Sequence, residues 1–221
     1  MNVLFEDKYI LVCDKPAGIP TQAGKITEKD MVSEVNNYMR KAGAKASAYL
    51  IHRLDKPVRG VLVFAKTKEA AAGLNKQLSI STDEKQMGFE KYYTAFVEGT
   101  FTESEGVLED YMIKSNNKAE IVAKDIPDAK LGRLKYSVIE EKDVEKGDTT
   151  THICKLNIKL LTGRFHQIRC QLSNAGHPIV GDTQYGSNIP YEKRKAIGLI
   201  CHSLSFNHPV TNKRMTFSID L

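Results

Sequence analysis

Cysteine is scarce and scattered. Cys13, Cys154, Cys170 and Cys201 are the only four, and no pair stands at CxxC spacing. Nor does any apolar run approach the roughly 20 residues that a bilayer-spanning helix requires, so no membrane association is expected. The opening stretch MNVLFEDKYILVCDKP carries charges through its first apolar segment, unlike a secretion signal. Together these absences point to free thiols in a reducing cytoplasm. Also missing are a phosphate-cradling P-loop and a GxGxxG turn. His166 and Cys170 are four apart, and Cys201 adjoins His202, but no set of four ligands at zinc-type spacing exists, so no metal is expected. A serine triad could be assembled only from scattered residues. Repeats and low-complexity linkers are absent as well. With 41% hydrophobic residues the chain can bury a core, and one domain over residues 1–221 is expected.

The net charge of +5 permits a polyanionic partner without requiring one. The placement of the arginines is more informative. Of eight, Arg53, Arg59, Arg164 and Arg169 fall within two short motifs, while the lysines spread along the chain as ordinary solvated surface. Arginine makes forked contacts to phosphate and carboxylate, so its clustering marks candidate sites.

Periodicity gives a coarse layout. The first 16 residues read as two short strands around Glu6, Asp7 and Lys8, followed by the loop PAGIPTQAG. TEKDMVSEVNNYMRKAG reads as a helix that Thr27 can cap, with Asp30 three residues on. Its stripe is Met31, Val35, Tyr38 and Met39, and Gly43 ends it. GVLVFAKT is a near-continuous apolar run suited to a central strand covered on both faces. A second helix capped by Thr67 follows, with Ala71, Leu74 and Leu78 on one side. KYYTAFVEG reads as a strand, and residues 106–125 as a hairpin turning at Asn116 and Asn117. Two more strands flank Lys146, Gly147 and Asp148, and residues 163–176 read as a helix with Phe165, Ile168 and Leu172 on one stripe. The C-terminal hairpin turns near residues 209–212. Eight or more strands joined by tight turns, with three helices, make a mixed α+β fold around a mostly antiparallel sheet.

Within this layout three groups could do chemistry. Asp55, in IHRLDKPVRG, precedes a strand that looks buried. It reads as a turn aspartate, or as a carboxylate at a sheet end where clefts form, with Arg53 and Arg59 as compensating cations. A poorly hydrated carboxylate so placed is a nucleophile. Arg169 falls at the edge of an apolar stripe, where it either snorkels or meets an acidic or phosphate partner. His166 lies one step round on the polar side. Arg164, near the first turn, could reach phosphate together with free backbone N–H groups. Tyr92 and Tyr93 point to opposite faces of one strand, so one can pack while the other stacks on a base.

Taken together, the two arginine-bearing motifs are similar to those of a known family. HRLDKPVRGVLVFAKT resembles the HRLDxxTSGxxxxAKT motif of the RluA-type pseudouridine synthases, and GRFHQIRCQLSNAGHPIVGDTQYG resembles their GRxHQIRxxLxxxGHPIxGDxxYG. VCDKPAGIPTQ, KYYTAFVEG and CHSLSFNHPVTNKRMTFS are similar to three further family segments, in the same order along the chain. The resemblance implies the family's catalytic fold, no cofactor, and an RNA substrate, ribosomal or transfer RNA, with ribosomal RNA preferred on family habit. DNA binding is not expected, and a monomer is. By position, Asp55 takes the place of the catalytic aspartate, Arg169 of the basic residue paired with it, and Tyr93 of the tyrosine that stacks on the flipped base. Arg53 matches the arginine that enters the RNA stack. His52, Arg164, His166 and Leu204 join it as substrate-binding candidates, Leu204 lying in the segment that walls the pocket. The lysine-bearing stretches 24–48 and 114–130 are candidates for RNA backbone contact.

One departure from the motif is plain: Val58 and Arg59 stand where Thr-Ser is usual. The S4 module of many relatives is also expected to be absent. An RNA-binding relative without catalysis is the alternative reading. A carboxylate-dependent glycosidase would need a second positioned acid near Asp55, and no motif supplies one.

Overall fold

The apolar run at residues 61–65 lies on strand β4 (Arg59–Ala65), buried from its second residue onward. Both of its edges are hydrogen-bonded, so its backbone polar groups need no water and its side chains can be apolar on both faces. The computed structural model describes every residue except 25–27, 44–46, 81–87, 147–148, 192 and 194. It divides into two compact units, Met1–Lys91 with Cys201–Leu221, and Tyr92–Ile200.

In the first unit the strands β1 (Asn2–Glu6), β2 (Ile10–Lys15), β4 and β10 (Leu199–Asn207) lie in that order. β11 (Arg214–Ser218) pairs with β10, and the two-residue β3 (Tyr49–Leu50) pairs with β4. β1–β2, β2–β4, β3–β4 and β10–β11 are all antiparallel. β2 and β4 align Val12 with Val63 and Lys15 with Gly60. Helix α2 (Lys68–Ile80) is capped by Thr67, whose hydroxyl accepts the Ala70 N–H at 3.1 Å. Its Ala70, Ala71 and Leu74 join Val61, Val63, Ala65, Leu204 and Phe206 in one hydrophobic cluster.

Helix α1 (Met31–Lys41) starts at Asp30, whose two carboxylate oxygens accept the N–H groups of Ser33 and Ala23. The expected cap, Thr27, lies outside the described residues. Met31, Val35 and Met39 are buried as the periodicity requires, but Tyr38 turns outward and donates its hydroxyl to Glu6 at 2.8 Å. Gly43 closes the helix in a left-handed conformation, φ 84°.

The second unit holds β5 (Glu90–Glu98), β9 (Thr149–Leu160), β8 (Lys130–Lys146), β6 (Glu105–Ser115) and β7 (Lys118–Ile121), in that order across its sheet. The pairs β6–β7, β6–β8 and β8–β9 are antiparallel. The β6–β7 hairpin turns at Asn116, φ 52°, as its sequence requires. The turn expected at Gly147 and Asp148 lies outside the described residues.

Helix α3 is shorter than the periodicity suggests. It runs Gln167–Asn174, not from residue 163. The Gln167 side chain folds back, and its Oε1 accepts the Arg164 N–H at 3.0 Å and the Thr162 hydroxyl at 2.8 Å. That draws the preceding residues into a non-helical turn, so Phe165 leaves the expected stripe and is exposed. A 3-10 turn, Thr183–Tyr185, and strand β3 are elements that periodicity did not disclose. Among the described residues no helix is long and apolar enough to cross a membrane. Among the described residues, three helices with antiparallel strands make the fold α+β.

Gly60 shows how tightly β4 is placed. A Cβ there would lie 2.5 Å from both the Cys201 Cβ and its carbonyl oxygen, at φ 153°. Gly60→Ala is expected to cost roughly 3 kcal/mol in urea unfolding. Because two of the nearest atoms are backbone, Cys201→Ala should not restore stability.

Candidate active site

Asp55 sits in the segment between β3 and β4, half-buried, with the side chain of Arg53 exposed two residues before it. Backbone closes the segment on itself: the Val58 N–H donates to the Asp55 carbonyl at 3.0 Å. The loop after β2 grips it from outside. The Thr21 hydroxyl accepts the Leu54 N–H at 3.0 Å and donates to the Leu54 carbonyl at 2.7 Å, so one buried side chain satisfies both polar groups of Leu54. The Gly18 N–H donates to the Lys56 carbonyl at 2.7 Å.

Lys15 completes this grip. The side chain is fully buried, and its ammonium donates to the carbonyls of Pro16 (3.1 Å), Ile19 (2.7 Å) and Lys56 (3.3 Å). Burial pushes its pKa down to about 8, against the pull of the Asp55 and Asp14 carboxylates, which favour the charged form. A positive charge therefore faces Asp55 from within the protein. The sequence points to Arg53 and Arg59 for that function; nothing local in the KPAG segment marks Lys15 for it.

Arg59 forks onto Asp14 on the neighbouring strand: Nη2 lies 2.8 Å from Oδ2, and Nε lies 3.2 and 3.3 Å from the two oxygens. Val58 is buried. The substitution of Thr-Ser thus replaces two hydroxyls by an apolar contact and an ion pair.

His52 and Leu204, both expected as substrate contacts, are buried. Leu204 is fully buried within the hydrophobic cluster around β4. His52 is buried edge-on to Phe89, and its Nε2 accepts the Val63 N–H at 3.3 Å. Burial, reinforced by the Lys91 ammonium, pushes its pKa down to about 3. A neutral ring accepting at Nε2 carries its proton on Nδ1, which has no partner among the described residues. The bond from the Val63 N–H to His52 ties the Asp55 segment to β4.

The other candidates lie in the second unit. Tyr93 is buried on β5, while its neighbour Tyr92 is half-buried with the Lys159 ammonium 5.6 Å from its ring centroid. Arg169 is 4% exposed, buried and not at a helix edge. Its Nε and Nη2 donate to the two oxygens of Asp182 at 2.6 and 2.8 Å, and Nη2 also donates to Gln184 at 2.9 Å. A guanidinium removed from water needs such a partner. Asp182, in the GD of the second motif, fixes the orientation of Arg169, a role that spacing alone did not reveal.

His166 does not lie on the helix. It precedes it in a left-handed conformation, φ 49°, with Nδ1 3.1 Å from the Tyr185 hydroxyl. Arg164 donates Nε to the Leu131 carbonyl at 2.9 Å, and its backbone N–H is occupied by Gln167. No cluster of three metal-ligating side chains occurs among the described residues.

His52 carries a stability consequence with a definite sign. Its folded value lies below the ordinary 6.5, so the unfolded chain binds more protons between pH 6.5 and about 3. Stability is full above pH 6.5 and falls on acidification through that window, by up to about 1.4 kcal/mol per pH unit from this group. Thermal melts between pH 7 and 5 should show a shallower decline for His52→Gln than for the wild type.

Comparison with known proteins gives this arrangement its setting. A family model described as RNA pseudouridylate synthase matches residues 9–174. The whole chain is 31% identical to an uncharacterized RNA pseudouridine synthase of Mycoplasma genitalium and covers 67% of it. It is 29% identical to the tRNA pseudouridine synthase C of Vibrio parahaemolyticus, covering all of this chain and 90% of that protein. Over 97% of its length it is 32% identical to the ribosomal large subunit pseudouridine synthase C of Buchnera aphidicola, of which it covers 65%. Two solved human structures, RNA pseudouridylate synthase domain containing 1 and 4, match the full chain at TM-scores of 0.77 and 0.74, with 21% and 20% identity, and are covered to 83% and 88%. The fold is shared with them. The family model takes in most of the chain, including both elements that carry Asp55 and Arg169, and the chain belongs to the RNA pseudouridylate synthase family, isomerases that act on RNA.

Proposed function

We propose that this chain converts uridine to pseudouridine in ribosomal or transfer RNA, with Asp55 as nucleophile and the target base turned out of its stack. The observation that carries the reading is the Asp55 segment itself. Its backbone is fixed by Thr21, Gly18 and Lys15, and a buried ammonium compensates the carboxylate. Pre-organised charge of this kind does not have to reorganise when the reaction begins.

In the reaction the bond between N1 and C1′ breaks, the base turns, and C5 bonds to C1′. The hydrogen leaving C5 is balanced by one gained at N1, so no atoms are exchanged overall. The Asp55 carboxylate can attack C1′, attack C6, or take a sugar proton. All three routes need the same ionised, positioned oxygen. Tyr93 is assigned to stacking on the base and Arg169 to compensating negative charge, roles taken from the motif match. Exposed Arg53 fits a side chain that fills the space a departing base leaves, offsetting an unstacking cost of a few kcal/mol. The relatives named for transfer RNA and for the ribosomal large subunit support both substrate classes. The two units are proposed to act as one catalytic domain. Cys13, Cys154, Cys170 and Cys201 are buried and form no disulfide, which supports a reducing, cytoplasmic setting.

Asp55→Asn tests the nucleophile. With RNA tritiated at uridine C5, tritium release should fall by at least about a thousandfold, while RNA binding by filter retention stays near that of the wild type. Near-normal release by the variant, or no release by the wild type on total cellular RNA, would remove Asp55 or the isomerase reading respectively. Lys15 adds a pH test. Turnover should hold to about pH 8 and decline above it as the ammonium loses its proton. Between pH 8 and 10.5 the unfolded chain binds more protons at this group, so its contribution to stability rises there, and unfolding at Lys15 does not explain the decline. Lys15→Met should be slow and lack that inflection.

A further inference from the structure

Phe165 occupies the variable position of the GRxHQIR motif and is a large apolar side chain left 39% exposed. Its ring stacks on His166, with centroids 3.8 Å apart and an interplanar angle of 17°. The left-handed backbone of His166 persists only where its surroundings impose it. Here they do. The His166 ring meets the Tyr185 hydroxyl, which in turn accepts the Ala119 N–H at 2.7 Å.

Two exposed lysines flank this aromatic group. The Lys114 ammonium lies 4.8 Å from the centroid of Phe165, and that of Lys118 lies 5.0 Å from the centroid of Tyr185. Both belong to the β6–β7 hairpin. The hairpin's Asn117 carbonyl accepts from Gln184 at 2.9 Å, and Gln184 accepts from Arg169 at 2.9 Å. Exposed Phe165 and half-buried His166 are therefore built on the same hydrogen-bonded framework that orients Arg169.

We propose that the Phe165–His166 pair is a stacking platform for an unpaired RNA base, with Lys114 and Lys118 contacting the phosphates beside it. The proposal rests on the RNA-substrate reading above and adds a binding site to it. Charge selects the occupant: an exposed ring bordered by ammonium groups suits a nucleotide, which offers a flat face and an anion together. Every base has such a face, so the platform is indifferent to sequence and requires only that the base be unpaired. A lysine over an exposed ring is held more weakly than a stacked base. The incoming base displaces the Lys114 ammonium and leaves it beside the phosphate.

The test uses the full chain, a fluorescein-labelled hairpin RNA with an unpaired loop, and the blunt duplex of the same stem. Phe165→Ala and Phe165→Leu should weaken loop binding about tenfold and leave duplex binding unchanged, while Phe165→Trp restores loop binding. The chain has no tryptophan, so Phe165→Trp carries a single indole, which the loop RNA should quench and the duplex should not. Wild-type loop affinity in Phe165→Leu, or equal quenching by loop and duplex, would overturn the platform. Tritium release by the wild type is measured alongside. If the wild type isomerises and Phe165→Leu binds the loop normally, the platform is wrong and the isomerase reading stands. If Phe165 proves necessary for loop binding and no tritium is released, the platform stands and the isomerase reading fails.

Discussion

A buried ammonium, that of Lys15, holds the Asp55 segment in place. Its three carbonyl partners come from two loops far apart in sequence, so one side chain welds the Pro16–Ile19 stretch to the backbone beside Asp55. Left without partners, a buried ammonium would cost several kcal/mol. Hydrogen bonds to a charged group are worth about 1.5–3 kcal/mol each. The pairing therefore fixes geometry at the point where the site needs it, and it does so beside the carboxylate whose charge it compensates. Thr21 reinforces the same junction by satisfying both backbone groups of Leu54.

Seen against that anchoring, the change from Thr-Ser to Val58-Arg59 is tolerable in physical terms. The turn at Asp55 is closed by backbone, from the Val58 N–H, which any residue other than proline supplies. Val58 adds apolar burial, and Arg59 ties the start of β4 to Asp14 on β2, next in the chain to Lys15. Here apolar burial and an ion pair fasten the segment at the two positions where hydroxyls are usual.

Much of the fold was legible because it follows from local patterning. The buried run on β4, the Thr67 cap, the Asn116 turn and the end of α1 at Gly43 are each dictated by residues within a few positions. The departures come from side-chain hydrogen bonds, which periodicity does not register. Gln167 folds back on Thr162 and Arg164, which shortens α3 and exposes Phe165. Glu6 draws Tyr38 out of the helix stripe. Among the candidate residues, Asp55 and Arg169 were singled out by their position in motifs. Their supporting partners also lie in motif segments, Lys15 in VCDKPAGIPTQ and Asp182 in the second arginine-bearing motif, but acquire their roles only from tertiary contacts. The burial of His52 was not legible, because a histidine carries no mark in the sequence of whether its ring faces solvent or core.

If this chain isomerises uridines in cellular RNA through Asp55, pseudouridine maps of ribosomal and transfer RNA should differ among cells with the gene, without it, and carrying only Asp55→Asn. One or more positions should lose pseudouridine when the gene is removed, regain it with the wild type, and stay unmodified with Asp55→Asn. Identical maps in all the strains would rule out isomerisation through Asp55.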